Sequence, residues 1–306
     1  LDIVPAQLRV IVTVRPKYAC RTCTDGVTQA PAPSHLIIGA LPTEATIAHV
    51  LVSKYADHLP LYRQSQILAR AGLDLHRAVL ADWVGKAAFH LKPVVDRLAE
   101  HLKRSDKLFM DETTAPVLDP GRGKTKTGYL WALARDDRPW GGEDPPGVVY
   151  FYAPGRAGAN AETFLTGFDG ILQIDGYHTV EADIRGISSG QRLSARQARS
   201  APLVAAFGEW LEAERRKIST KSRLGEKLTY IHNHWDGLQT FLADGRVEID
   251  NNRVENLIRP ITLNRKNALF AGHDEGGIAW GRIASLIETC KINGIEPFAY
   301  LKATLT

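Results

Sequence analysis

Two aspartates stand where apolar strands do not ordinarily carry them. Lys107-Leu-Phe-Met-Asp111-Glu-Thr-Thr-Ala-Pro-Val117 reads as a strand with Asp111 inside it. Gly170-Ile-Leu-Gln-Ile-Asp175-Gly-Tyr177 reads as another, ending at Asp175. A carboxylate withdrawn from water is costly unless it is paired or bound to a cation, so these two point to a shared metal site. Neighbouring strand residues face opposite ways, so Asp111 and Glu112 cannot both join it. Asp111 is the candidate, because Leu108 and Met110 flank it on the opposite face. For Asp175 the competing reading is a turn-initiating Asp ahead of Gly176.

A third acid, Glu255, lies far downstream in Asp250-Asn-Asn-Arg-Val-Glu-Asn-Leu-Ile-Arg-Pro260. Val254, Leu257, Ile258 and Ile261 recur at i, i+3, i+4, i+7, the apolar face of a short helix. Asp250-Asn-Asn252 supplies N-cap chemistry, and Pro260 is expected to kink or end the helix near Arg259. On spacing alone Asn252-x-x-Glu255 reads as a capping box. Glu255 and Arg259 read as an i, i+4 pair worth ~0.2–0.5 kcal/mol.

The elements that must position these acids follow from periodicity. Strands over 107–117, 128–135 and 147–152 precede a short helix over 160–168 and the strand at 170–177. A basic hairpin tip, Gly121 to Lys126, joins the first two. A meander of three strands, then a helix, then a strand is the order of a ribonuclease H-like core. The fold class expected is therefore α/β (α+β). Two basic helices, Leu193–Ile218 and Leu224–Leu242, read either as a solvated face or as a DNA-facing insertion. A last helix, Trp280–Ile292, carries a buried Cys290.

Ahead of the strands the pattern is helical. Helices are expected from Ala45 to Tyr55, Leu61 to Arg70, Leu75 to Trp83 with Gly85 just past it, and Leu91 to Leu102. The turn Ala71-Gly72-Leu73 gives the second and third the spacing of a helix-turn-helix, whose second helix enters the major groove. Arg63, Gln64, Gln66 and Arg70 on one helix, and His76, Arg77 and Asp82 on the next, are the candidate exposed side chains. A plain helical bundle is the competing reading. Leu8–Val14 alternates like a strand. Cys20-x-x-Cys23 offers two thiolates, but a structural zinc takes four ligands, and His35 and His49 are poorly spaced to complete it.

The 306 residues suit about two domains. A net charge of +4 permits a polyanionic partner without requiring one. No apolar run nears the ~20 residues of a membrane span, and no secretory signal is visible. Three cysteines suggest no disulfide framework, so the cytoplasm is expected. A glycosidase using paired carboxylates is a remoter reading, disfavoured by the basic charge.

Longer motifs carry a resemblance. Asn251-Asn-x-x-Glu255-x-x-x-Arg-Pro260, Arg265-Lys-Asn267 and Leu269-Phe-Ala-Gly272 resemble the C-terminal signature of the insertion sequence 66 family of bacterial transposases. Met110-Asp-Glu-Thr113, Gln173-Ile-Asp-Gly-Tyr177 and the segments 54–64 and 81–85 resemble the same family. The resemblance implies a DNA transposase that cleaves and rejoins strands, with Asp111, Asp175 and Glu255 as the catalytic, metal-holding triad. It implies two Mg²⁺ (or Mn²⁺) ions about 3.5–4 Å apart, bridged by Asp111. DNA contacts fall to Arg63, Gln64, Arg70, Arg77, Lys124, Lys126, Arg259, Arg265 and Lys266. Expected partners are the element's terminal repeats and target DNA, further copies of the chain on that DNA, and accessory proteins of the element.

In such proteins an upstream C-x-x-C pair completes the zinc site. This chain reads as beginning after that pair, which leaves Cys20 and Cys23 a remnant and zinc unexpected. No fifth strand follows Tyr177, and the join near Val180-Glu181 reads as an internal deletion. The expected organisation is a zinc-region remnant at 1–35, a helix-turn-helix domain at 36–104, a ribonuclease H-like core at 105–180 and 245–306, and a helical insertion at 181–244. The alternative function is a catalytically defective derivative that still binds DNA.

Overall fold

The computed structural model describes the chain except residues 3–6, 23–25, 174–182 and 185, and only the backbone of Arg223. A short antiparallel hairpin, β1 (Lys17–Ala19) and β2 (Val27–Gln29), opens it. Leu8–Val14, expected as a strand, is exposed and irregular. Alternation alone forms no strand without a neighbour to take the backbone hydrogen bonds.

Four helices follow: α1 (Glu44–Tyr55), α2 (Leu61–Arg70), α3 (Arg77–His90) and α4 (Lys92–Leu102). Thr43 caps α1 by accepting from the Thr46 N–H. The third helix does not stop before Gly85 as expected but runs on to His90. Leu80, Trp83, Val84, Ala87 and Ala88 form one buried stripe across that glycine, and their burial outweighs the ~1 kcal/mol an interior glycine costs. α2 and α3 are joined through Gly72, at φ +87°, a left-handed value that glycine adopts without steric penalty.

The sheet is mixed. β3 (Lys107–Asp119), β4 (Lys124–Arg135) and β5 (Gly147–Ala153) form an antiparallel meander. Helix α5 (Gly158–Leu165) then returns the chain to β6 (Ile171–Gln173), which lies parallel to β3. The order across the sheet is β5-β4-β3-β6. Among the described residues no strand continues it beyond β6. Four helices form the next segment: α6 (Ser189–Arg199), α7 (Ala201–Lys217), α8 (Arg223–Asn233) and α9 (Trp235–Ala243). Each long helix expected there is two. Ser200 with Pro202 in the next first turn breaks the first, and His234 breaks the second.

α10 (Asn252–Asn267), α11 (Asp274–Ile292) and α12 (Pro297–Leu305) complete the chain. Pro260 does not end α10. The N–H that proline lacks would have paired with the carbonyl of Asn256, an exposed residue. Buried Val254, Leu257, Ile258 and Ile261 hold the turns on both sides. α11 covers the outer edge of β5. Ser285 Oγ accepts from the Tyr150 N–H (2.8 Å), and Thr289 Oγ1 both accepts from the Val148 N–H and donates to its carbonyl. This approach needs Gly281, where a Cβ would lie 2.6 Å from the Tyr150 carbonyl oxygen. Hydrogen-bonding groups on an edge strand are thus satisfied by helix side chains rather than left open. One continuous apolar core joins α1, α3 and α4 to the sheet and to α10–α12. Among the described residues no helix is long and apolar enough to cross a membrane.

Candidate active site and nucleic-acid face

Asp111 sits inside β3, opposite Ala132 of β4, which in turn pairs with Tyr150 of β5. Directly paired residues share a face, so all three look toward the same side. That side carries α10, because the Tyr150 hydroxyl donates to the Leu257 carbonyl. Asp111 is half-buried, and its Oδ1 accepts from the Glu112 N–H at 2.7 Å. Glu112 pairs with Trp131 on the other face and ion-pairs with Arg156. Trp131 and Phe151 there meet Phe164 of α5, the last two rings stacked at 4.7 Å.

The start of α10 rests on β3 beside Asp111. Asn251 is buried, and its Nδ2 donates to the Met110 carbonyl at 3.4 Å. The Glu255 N–H donates to the Asn251 carbonyl at 3.1 Å, closing the first helical turn. At 3.6 residues per turn Glu255 stands next to Asn251 on the helix surface, and it is exposed. The capping box expected of Asn252 and Glu255 is absent, since Asn252 is itself the first helical residue. Asp250 Oδ1 accepts from the Asn252 N–H instead. Asn251 Oδ1 is buried with no hydrogen-bond partner. An oxygen left in that state in a folded protein calls for an explanation such as an ion or water. Asp175 lies outside the described residues, two positions past Gln173. Among the described residues no three His, Cys, Asp or Glu side chains converge as a metal-holding group.

Beneath this lies a polar lattice that composition did not reveal. Gln173 Oε1 accepts from Lys107 Nζ (3.2 Å) and from the Glu248 N–H (2.9 Å). Its Nε2 donates to the carbonyls of Glu248 (2.7 Å) and Asp250 (2.6 Å). Lys107 also donates to the Arg246 carbonyl at 2.7 Å and stands over the Phe109 ring. Burial lowers its pKa to about 8, against the carboxylates of Glu248, Asp137 and Asp244. Arg192 is 2% exposed and pairs with Glu248 at 3.2 Å. Beside it Arg253 reaches Asp136, whose carboxyl Arg138 and Arg253 hold low against the effect of burial. A lysine and a glutamine inside apolar strands were the available signals.

The other expected residues divide. Arg63, Arg70 and Arg77 are exposed on α2 and α3, as are Lys124 at the start of β4 and Arg259 and Lys266 along α10. Arg63 Nε donates to the Tyr62 hydroxyl. Lys126 is partly engaged, with Nζ 2.8 Å from Asp274 Oδ2. Gln64 corrects the expectation of an exposed DNA contact. It is 4% exposed, and its amide donates to the carbonyls of Val50 and Leu59, tying α2 to α1. Periodicity alone points a polar residue of an amphipathic helix outward, whereas here it faces two carbonyls outside its own helix. Arg265 is likewise turned inward, with Nη1 donating to the Thr114 carbonyl (2.9 Å) and to Thr113 Oγ1 (3.4 Å). Of the cysteine pair, Cys20 is exposed with Sγ 3.1 Å from Thr22 Oγ1, and Cys23 lies outside the described residues.

Comparison with known proteins gives the family. The family described as "Transposase IS66 family" matches residues 39–180 and 178–279. Its C-terminal element matches 285–306, and the zinc-finger binding domain of the same transposases matches 1–24. The chain belongs to the IS66 family of transposases. It is similar to the uncharacterized proteins y4qI and y4jD of Sinorhizobium fredii, at 41% and 40% identity. Those alignments cover all of this chain and 67% and 70% of the two relatives. The first spans 360 positions against the 306 residues here. The two stretches of the main match overlap at 178–180, the place where the sequence reads as an internal deletion.

Proposed function

We propose that the chain is a DNA transposase of the Asp-Asp-Glu class, cleaving and joining strands through Asp111, Asp175 and Glu255. The observation that carries this reading is the docking of α10 on β3. The Asn251–Met110 hydrogen bond sets the helical turn that bears Glu255 beside the strand that bears Asp111, on one face of the sheet. The strand order β5-β4-β3-β6, with β6 parallel to β3, supports a ribonuclease H-like core. The register adds to it, because Phe109 pairs with Gln173 and each precedes an acid by two residues.

The donor set fits Mg²⁺ or Mn²⁺, being carboxylate and amide oxygen, including the unpartnered Oδ1 of Asn251. Asp111, Asp175 and Glu255 would hold the ions, and a divalent pair stabilises both the attacking and the leaving oxygen of a phosphodiester. The chain's own part is positional. Asp111 is held by the Glu112 N–H, which fixes the direction of its carboxyl group. Glu255 stands exposed in the first turn of α10, open to an incoming ion or phosphate. Arg259 and Lys266 follow Glu255 along the same side of α10 and offer phosphate contacts. Exposed Arg70 and Arg77 at the α2–α3 connection offer others, as a helix-turn-helix would.

The test is a nicking and strand-transfer assay on terminal-repeat DNA with Mn²⁺. Asp111→Asn and Glu255→Gln should each abolish nicking while leaving DNA affinity within about twofold. Undiminished nicking by either variant sinks the assignment. A second reading, a derivative that binds DNA without cutting it, is favoured by the break of the family match into two stretches meeting at 178–180 and by an alignment 360 positions long against 306 residues. DNA binding by the unaltered chain with no metal-dependent cleavage would establish that reading instead.

A further inference from the structure

A single side chain joins the strand at the edge of the sheet to the loop that launches α10. Gln173 makes four hydrogen bonds, two through each end of its carboxamide. Three of them go to the backbone of the loop: to both the N–H and the carbonyl of Glu248, and to the carbonyl of Asp250. An amide that accepts from and donates to one residue's backbone reproduces the exchange between paired residues of two strands. The side chain thus acts as one rung of a ladder at an edge where no described strand is present. The site is buried: Gln173 is 4%, Asp250 7% and Lys107 2% exposed. Partly satisfied networks of this kind are costly, whereas fully satisfied ones fix a single geometry.

We propose that the Gln173 carboxamide is a positioning element for the active site, fixing the 246–251 loop and so the stance of Glu255 relative to Asp111. This rests on the functional reading above. The chain of contacts is short. Gln173 holds Glu248 and Asp250, the next residue is Asn251, and Asn251 grips Met110 beside Asp111. Lys107 is the second anchor, bridging Gln173 Oε1 to the Arg246 carbonyl. A displacement of about 1 Å in a catalytic group is enough to cost ~100-fold in rate, so a clasp this close to both acids governs metal affinity as well as stability.

The experiment uses the full chain, with Gln173→Leu, Gln173→Glu and Asp111→Asn beside the unaltered protein. Two quantities are measured: hydrogen exchange over residues 246–256, and Mn²⁺ affinity from the resonance signal of the free ion. Gln173→Leu removes all four hydrogen bonds. It should raise exchange in 246–256 at least tenfold, leave 280–292 unchanged, and weaken Mn²⁺ binding at least fivefold. Gln173→Glu keeps the acceptor for Lys107 and the Glu248 N–H but loses both donated bonds, and should fall between. Faster exchange with unchanged Mn²⁺ affinity shows a merely structural glutamine and overturns the proposal, as does unchanged exchange. If the unaltered chain binds Mn²⁺ no better than Asp111→Asn, the functional reading fails and the proposal falls with it. If it binds and only the Gln173 variants fail to respond, the proposal alone falls. A Gln173→Leu chain that does not fold leaves Gln173→Glu to decide by the same two measurements.

Discussion

Around the sheet, apolar side chains from α1, α3, α4, β3–β5 and α10–α12 form one continuous core. Between residues 189 and 243 the described buried apolar side chains are Leu211, Leu228 and Phe241, and none belongs to that core. Leu203, Phe207 and Trp210 of α7 lie exposed on one stripe. What attaches this segment to the rest is polar, with Arg192 reaching Glu248. Within the segment Arg196, wholly buried, ties α6 to the end of α9 by donating to the carbonyls of Phe241 (3.0 Å) and Asp244 (3.1 Å). Apolar burial is additive and tolerant of direction, whereas a guanidinium clasp is directional and fails as a unit. The sheet region should therefore unfold cooperatively, and α6–α9 should open locally at lower free energy.

The largest effect that could break this contrast is a cavity in the apolar region. Leu133 on β4 is fully buried, and Leu133→Ala should cost about 2–5 kcal/mol. Chemical denaturation should show a shifted midpoint, with exchange accelerated in the sheet and α11 together. Destabilisation confined to β4 would show that the core is not one cooperative body.

The next effect lies on the other side. Arg196→Ala removes a charged donor from two carbonyls and should cost about 2–3 kcal/mol, expressed only between residues 189 and 244. Exchange there should quicken while the sheet is unmoved. Equal quickening in β3 and β4 would mean that the helical segment supports the sheet rather than leaning on it.

The same division decides what the sequence made legible. β3, β4 and β5 were placed within a few residues because apolar runs bounded by Gly and Pro leave little choice. α2 was placed at Leu61–Arg70, as observed, because its polar and apolar faces separate cleanly. Helix ends that depend on packing were misplaced. Gly85 and Pro260 read as stops, yet both lie inside helices whose buried stripes continue past them. In α6–α9 the breaks at Ser200 and His234 leave little periodic trace, since few positions are buried there. Of the candidate site, the face of Asp111 followed from strand alternation, but Asn251, Gln173 and Lys107 did not. Their backbone partners are 75 to 141 residues away, and no local pattern announces a hydrogen bond to a distant carbonyl. Gln64 is likewise hidden from periodicity, because the carbonyls it meets lie outside its own helix.

The smallest effect tests whether the clasp under the site is as dry as the apolar core beside it. Burial pushes the Lys107 ammonium down to about 8, with Arg192 helping and Glu248, Asp137 and Asp244 opposing. The unfolded chain keeps its lysines near ~10.4. Below pH 8 the group is charged in both states and the cost of burying it is felt in full. As pH rises from 8 toward 10 the folded protein sheds this proton first, so the unfolded state binds more protons and stability climbs. The slope from this one group is ~0.5–1 kcal/mol per pH unit. Cys290, raised to about 11 by burial, opposes this as the unfolded thiol ionises from about pH 8 upward, and Lys54, lowered to about 8 by burial, adds to it. Both act alike in the two proteins compared, so their difference over pH 8 to 9 is the informative quantity. Lys107→Met keeps a long apolar stem over Phe109 and removes the titration. Denaturant melts of the two proteins should show a rise across that interval for the unaltered chain and a flatter course for the variant. Parallel curves would mean that water reaches Lys107, and that the lattice holding the start of α10 is looser than its hydrogen bonds imply.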